Sequence, residues 1–266
     1  MGGWLCKLRR DARHAQIAAL TALLAIQFLA IDFGATPTSA LFAIGATLAT
    51  EAAFSRARFD PRSPLITGLS LTLLLRAANP LWLALAGALA IGSKYALRLD
   101  GRPIFNPSAF AIAALLAAGG TVWVSPGQWG AELWFVGLIV CLAMLVLPTA
   151  RRADIALYYL GAHFALLLAR SAWLGDPLAI PMHQIESGSL VIFAAFMISD
   201  PKTSPQTSLG RLVFAILVAA LAHVLAFQEQ MRPALYFALV ALNPLVFLID
   251  RVTAFQPRRL WAWRTV

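Results

Sequence analysis

Long apolar runs alternate along this chain with short breaks that are polar, basic or proline-bearing. The runs fall at about 15–34, 36–54, 64–78, 79–97, 107–124, 130–148, 154–173, 187–200, 208–227 and 232–250. A helix needs roughly 20 apolar residues to cross about 30 Å of hydrocarbon. The pattern therefore predicts an all-α integral membrane protein with about ten transmembrane helices. The third and eighth runs are short. The third ends at Arg76, just before Asn79-Pro80, and the eighth ends in Asp200-Pro201. Proline removes a backbone donor and stops a helix, so both are expected to be broken or short elements.

The break Ile198-Ser199-Asp200-Pro201-Lys202-Thr203-Ser204-Pro205 stands out. It follows the apolar stretch Val191–Met197 and precedes Leu212-Val213-Phe214. A carboxylate near membrane depth is by default a functional-site hypothesis. The same grammar occurs twice: a short span, a polar proline break, a full span, a charged loop and an Asn-Pro pair. The first copy runs from Ser63-Pro64 through Asn79-Pro80 to Asn106-Pro107. The second runs from Ser187-Gly188 through Asp200-Pro201 to Asn243-Pro244. Pseudo-repeats of about 15–124 and 130–250, inverted with respect to each other, are expected within a single transmembrane domain over residues 1–266.

Composition agrees with the pattern. The 266 residues are 60% hydrophobic and 12% charged, against about 25% charged in a soluble domain, and mean hydropathy is +0.76. The net charge of +9 does not point to nucleic acid, because the basic residues sit in short clusters between spans. All but Arg76, Arg170 and Arg232 of the 21 Lys and Arg residues fall on one side of the expected topology. The positive-inside rule then puts both termini and the loops after the even-numbered spans in the cytoplasm. The two cysteines, Cys6 and Cys141, form no redox or metal motif. No nucleotide fingerprint, phosphate loop or HExxH is present, so any chemistry sits among the spans or on a partner.

Single residues carry competing interpretations. Asn106-Pro107 reads as a helix cap followed by a first-turn proline, or as an amide that meets a ligand. Asp200 and Asp250 read as local caps or ion pairs (with Lys202 and Arg251), or as an ion pathway. Glu51 reads as pairing near a helix end, close to Arg56 and Arg58. Gly45-Ala46-Thr47 reads as small-residue helix packing. His163 and His223, inside apolar spans, are open to interhelical hydrogen bonding or to ligation of a b-type haem.

Four blocks together resemble the RnfD/NqrB family, the membrane subunits of Rnf complexes and of Na⁺-translocating NADH:quinone oxidoreductases. They are Leu65–Leu71, Gly101–Ser108, Met197–Pro205 with Gly210-Arg211, and Asn243–Val246 leading to Ile249-Asp250. The resemblance covers about residues 15–255. It implies ten spans, an inverted-repeat fold like that of urea and ammonium channels, and flavin-based electron transfer in a bacterial-type inner membrane beside other redox subunits. It further implies a noncovalent flavin, riboflavin or FMN, with Thr67, Phe105, Asn106, Asp200 and Thr203 as its binding residues. Asp200 and Asp250 are implied for ion movement. Family members also carry an FMN esterified to the threonine of a Ser/Thr-Gly-Ala-Thr motif between the middle spans. No such motif occurs between Ala150 and Ser199, and at Asp32–Thr36 a Phe33 stands where the hydroxyl residue is needed. Covalent FMN is therefore not expected. The alternatives are a channel or transporter for a small solute or flavin, and a cofactor-free anchor for a redox partner.

Overall fold

The structure is a computed structural model that describes residues 12–29, 36–55, 59–124 and 133–254. Among these are α1 (Ala12–Leu29), α2 (Pro37–Phe54), α3 (Arg62–Leu74), α4 (Pro80–Ala96), α5 (Pro107–Ala117) and α6 (Leu133–Ala150). They continue with α7 (Ala153–Leu174), α8 (Ala179–Ile185), α9 (Gly188–Phe196), α10 (Ser208–Phe227), α11 (Ala234–Leu242) and α12 (Leu245–Ala254). The all-α membrane class holds. Three described helices, α1, α7 and α10, are long and apolar enough to cross a bilayer, and a fourth results if α11 and α12 count as one bent span. Their outer faces carry bare apolar side chains, such as Leu29, Trp173 and Ile216, which suits contact with lipid.

The run boundaries needed correction at three places. The run at 107–124 is helical only to Ala117, because Gly119 and Gly120 let the chain turn out; Gly119 has φ +71°. The run at 187–200 stops at Phe196. The run at 232–250 is split at Asn243-Pro244, where the two parts bend by 55°. A seven-residue helix, α8, stands where none was expected.

The two short helices lie innermost. Every residue of α9 is buried, and so is α3 from Thr67 to Leu74. A helix apolar all round must be enclosed by others. Here α1 and α2 flank α3, while α6 and α7 flank α9. Packing pairs α2 with α4 and α7 with α10, then α4 with α5 and α10 with α11. α1 meets α6, and α5 meets α11. Gly68 of α3 makes the closest approach: a Cβ there would stand 2.8 Å from the Ile44 Cα and 2.9 Å from the Thr47 hydroxyl. Gly87 of α4 is similarly tight against Ala43, Ala46 and Thr47. Small-residue packing at Ala46-Thr47 is real, but the glycines that need it are Gly68 and Gly87; Gly45 itself has open space.

Local chemistry explains the helix starts. Thr36, Asn79 and Asn106 each cap a helix that begins with proline, accepting from Ser39, Leu81 and Ala109 N–H. Side-chain acceptors satisfy orphan N–H groups there, and proline needs no donor. A two-residue turn at Asp100-Gly101, both at positive φ (+50° and +76°), closes a hairpin. It joins β1 (Arg98–Leu99) to β2 (Arg102–Pro103), as an Asp-Gly turn favours. A second small ribbon pairs Arg76-Ala77 with Val122-Trp123.

Candidate functional site

The chain from Met197 to Thr207 links the C-terminus of α9 to the N-terminus of α10. Asp200 folds it: its carboxylate accepts from Lys202 N at 3.0 Å and from the Thr203 hydroxyl at 3.3 Å. Its carbonyl accepts from the Ser204 hydroxyl at 2.7 Å. The Ser199 hydroxyl donates back to the Ala195 carbonyl. Pro201 and Pro205 offer no donors, so the loop's carbonyls need partners from elsewhere.

Two arginines supply them. Arg102, carried by the hairpin, donates to the Lys202 carbonyl (3.1–3.2 Å) and the Ser204 carbonyl (3.1 Å). Its remaining branch reaches Asp250 at 3.0 Å. Asp250 also accepts from Gln206 N at 2.7 Å. Arg152, ahead of α7, donates to the Pro205 carbonyl at 2.7 Å and the Gln206 amide oxygen at 3.1 Å. Burial draws its guanidinium below the ordinary arginine value, and Arg211 beside it acts the same way. From the interior, Asn106 N–H donates to Asn243 Oδ1 at 3.3 Å, and Asn243 Nδ2 donates to the Thr203 carbonyl at 3.1 Å. Thr207 closes the loop by capping α10 and bonding Thr253 at 2.6 Å.

A cavity of about 140 Å³ lies beside this loop, lined by Thr67, Ser70, Asn106, Ser108, Ser199 and Asp200 among others. Three of the five residues expected to hold a flavin therefore share one cavity. Phe105 and Thr203 do not line it: Phe105 packs on Phe110, with ring centroids 5.1 Å apart, and Thr203 is buried inside the loop. Ligand pockets run from about 300 Å³ upward. The Asn106 amide is committed on both sides, accepting from Ala109 N and donating to the Met197 carbonyl, and Thr67 donates to the Ser63 carbonyl. Asp200 and Asp250 serve different groups, and only Asp200 borders the cavity. Asp250 pairs with Arg102, whereas Arg251 lies 3.9 Å from Asp100.

A second cavity, of about 560 Å³, opens toward the far ends of α7 and α10. Its walls include His163, His183, Gln184, Phe227 and Arg232 together with the first turns of α9 and α11. His163 and His223 each have a buried Nδ1 without a hydrogen-bond partner. His163 lines the cavity and His223 does not; the His223 ring packs on Phe227 instead, at 4.6 Å.

A family model for NQR2, RnfD and RnfE matches residues 121–259. The D-type subunit of the ion-translocating oxidoreductase complex of Stutzerimonas stutzeri is 30% identical over 260 residues, spanning 71% of this chain and 73% of that protein. The chain belongs to the NQR2, RnfD, RnfE family. The corresponding protein of Escherichia coli, of the same name, is 31% identical over 54% of this chain and 38% of its own length. That of Alcanivorax borkumensis is 36% identical over 35% of this chain and 27% of its own length.

Two of the blocks that resemble RnfD/NqrB proteins, at 197–205 and 243–250, lie inside the matched stretch. The structure brings the 101–108 block onto the same loop, and the 65–71 block onto the adjacent cavity. Three motifs that look unrelated in sequence, at 101–108, 197–205 and 243–250, are thus one bonded assembly. Three of its members, Arg152, Gln206 and Thr253, carried no signal in the sequence: Arg152 looked like an ordinary inside-positive residue. Glu51 belongs to a separate cluster, where both carboxylate oxygens accept from Lys94 at 2.8 Å and one accepts from the Tyr95 hydroxyl. Arg56, Arg58, Cys6 and residues 30–35 lie outside the described residues. Thr36 is a helix cap, as its ordinary role requires.

Proposed function

We propose that this chain is a membrane subunit of an Rnf-type ion-translocating oxidoreductase complex in a bacterial inner membrane, working beside other redox subunits in flavin-linked electron transfer. Family membership carries this, together with the convergence of the family-like blocks on one clamped loop. The curated relatives bear the name of the D-type member of such a complex. The proposed architecture is ten membrane-crossing or re-entrant segments in two inverted halves. Matching contacts support it: α1–α3 and α6–α9, α2–α4 and α7–α10, and α4–α5 and α10–α11 are pairs of the same kind. α1–α6 and α5–α11 are the contacts between corresponding members of the two halves.

Coupling to cation movement is the second part of the proposal. It is favoured by the hydroxyl-lined cavity at Asp200. Thr67 and Ser199 give their protons to backbone carbonyls, so their oxygen lone pairs remain available, and oxygen donors suit hard cations and water. The same cavity favours the channel alternative. The test is affinity purification of the tagged chain from its own membranes under mild detergent. Co-purification with other oxidoreductase subunits and a flavin spectrum, with bands at roughly 370 and 450 nm, is the expected result. A chain that purifies alone and shows no redox partner overturns the proposed role; a Soret band instead would assign haem.

A further inference from the structure

The larger cavity has two chemically different ends. Its inner walls are Leu167, Leu190, Ala222, Phe227 and Leu235. His163 closes the inner end, its ring stacked on Tyr159 at 5.8 Å. The rim is polar and exposed, with His183, Gln184, Gln230 and Arg232. α7 has 22 residues, about 33 Å at the helical rise, slightly more than the hydrocarbon thickness of about 30 Å. The rim, beside the end of α7 and just after α10, therefore stands where headgroups meet acyl chains. The neighbouring segment supports that depth. Pro181 of α8 is turned inward, while Leu178, Ile180 and Met182 are bare, as is Leu174 at the end of α7. Bare apolar side chains just beyond a span suit a segment lying among lipids. Charge adds a further constraint. Arg170 and Arg232 are two of the three basic residues outside the cytoplasmic set. Arg170 is committed, pairing with Asp176 at 3.6 Å and lying over the Phe227 ring at 4.3 Å. Arg232 forms no ion pair among the described residues. It stands just ahead of α11, whose start has no side-chain cap and carries partial positive charge.

We propose that this cavity binds an anionic glycerophospholipid from the leaflet at this end of α7. The combination of ends selects that class. A water-soluble anion makes no use of the apolar walls, and an uncharged lipid makes no use of Arg232. The Arg232 guanidinium takes the phosphate diester, whose oxygens match its planar fork. The Gln184 amide and the His183 ring donate to the remaining phosphate and glycerol oxygens. One acyl chain enters between Leu167, Leu190 and Leu235. At about 560 Å³ the cavity holds the polar end and the upper part of that chain, and the rest lies along the bare outer face of α10 at Val224. The bound lipid joins α7, α8, α10 and the start of α11 to the bilayer. The site does not depend on the redox role proposed above.

The test uses the full-length chain purified in mild detergent and stripped of lipid by washing. It is titrated with phosphatidylglycerol or, separately, phosphatidylcholine, and bound lipid is counted by native mass spectrometry. The expected result is one phosphatidylglycerol per chain, held at concentrations where phosphatidylcholine is not. Arg232→Ala is expected to weaken that binding at least tenfold. Ala226→Leu, which narrows the apolar end, is expected to weaken it similarly. Arg251→Ala removes an exposed charge beside Asp100, away from the cavity, and is expected to bind as the unaltered chain does. Elution on size exclusion checks that each variant is folded, and Arg232 is exposed, so its loss leaves packing intact. Equal retention of the two lipids, or no retained lipid, overturns the proposal. So does undiminished binding in folded Arg232→Ala or Ala226→Leu, or an equal loss in Arg251→Ala. None of these outcomes touches the proposed place in a redox complex, which co-purification tests separately.

Discussion

Asn243 shows how a single side chain holds this assembly. It is fully buried, and its amide satisfies the Asn106 N–H on one side and the Thr203 carbonyl on the other. Removing it leaves two buried backbone groups without partners, each at about 1–3 kcal/mol. Asn243→Ala is therefore expected to lower the thermal midpoint in detergent by several degrees and to speed aggregation on heating. Asn243→Leu, which fills the volume without restoring either bond, is expected to be no better than Ala. If Leu rescues stability, the site is governed by packing and the bonds contribute little. The sequence showed this residue as part of an Asn-Pro pair, but not its role. Asn79 and Asn106 cap the helices that follow them, while Asn243 sits at a bend between two helices and bonds outward. Pair identity alone does not distinguish the two, because the choice depends on which backbone groups the rest of the fold leaves open.

At the scale of elements, the hairpin and the 197–207 loop form one unit. An Asp-Gly turn delivers Arg102, and its planar fork bonds two carbonyls and Asp250 at once. A lysine keeps the charge and loses the fork. Arg102→Lys is expected to expose the Pro201–Pro205 segment to proteolysis while leaving the helices intact, and Asp250→Asn to do so less. A double-mutant cycle should show the two changes to be non-additive, since they share a partner loop; additive effects would mean that the two residues act independently. The helix starts at Thr36-Pro37, Asn79-Pro80 and Asn106-Pro107 were legible, because a capping side chain followed by proline marks a boundary; the break at Asn243-Pro244 was not. Helix ends were not. The runs at 107–124 and 232–250 remain apolar through their breaks, so hydropathy does not register where the backbone turns. α8 has seven residues and is too short for any periodicity to appear.

For the whole molecule, the charge pattern makes a demand that contacts alone do not. Hydropathy predicts the membrane class and positive-inside counting predicts the sidedness; the helix contacts are the ones that two proposed halves would make. Neither hydropathy nor charge counting reveals the two cavities described, since their walls come from helices far apart in sequence. If the halves are inverted and the termini are cytoplasmic, Lys202 and Trp173 must face opposite sides, since α7 and α10 run the length of the domain between them. Both positions are exposed, so a cysteine placed at either is accessible to reagent. In a background with Cys6→Ser and Cys141→Ala, Lys202→Cys is expected to react with a membrane-impermeant maleimide only in inverted vesicles. Trp173→Cys should react only in intact spheroplasts. A helix of about 20 residues spans about 30 Å, enough to separate the two sites by a full bilayer. Labelling of both from one side would remove the proposed inverted architecture. It would leave family membership and the bonded loop untouched, because neither depends on sidedness.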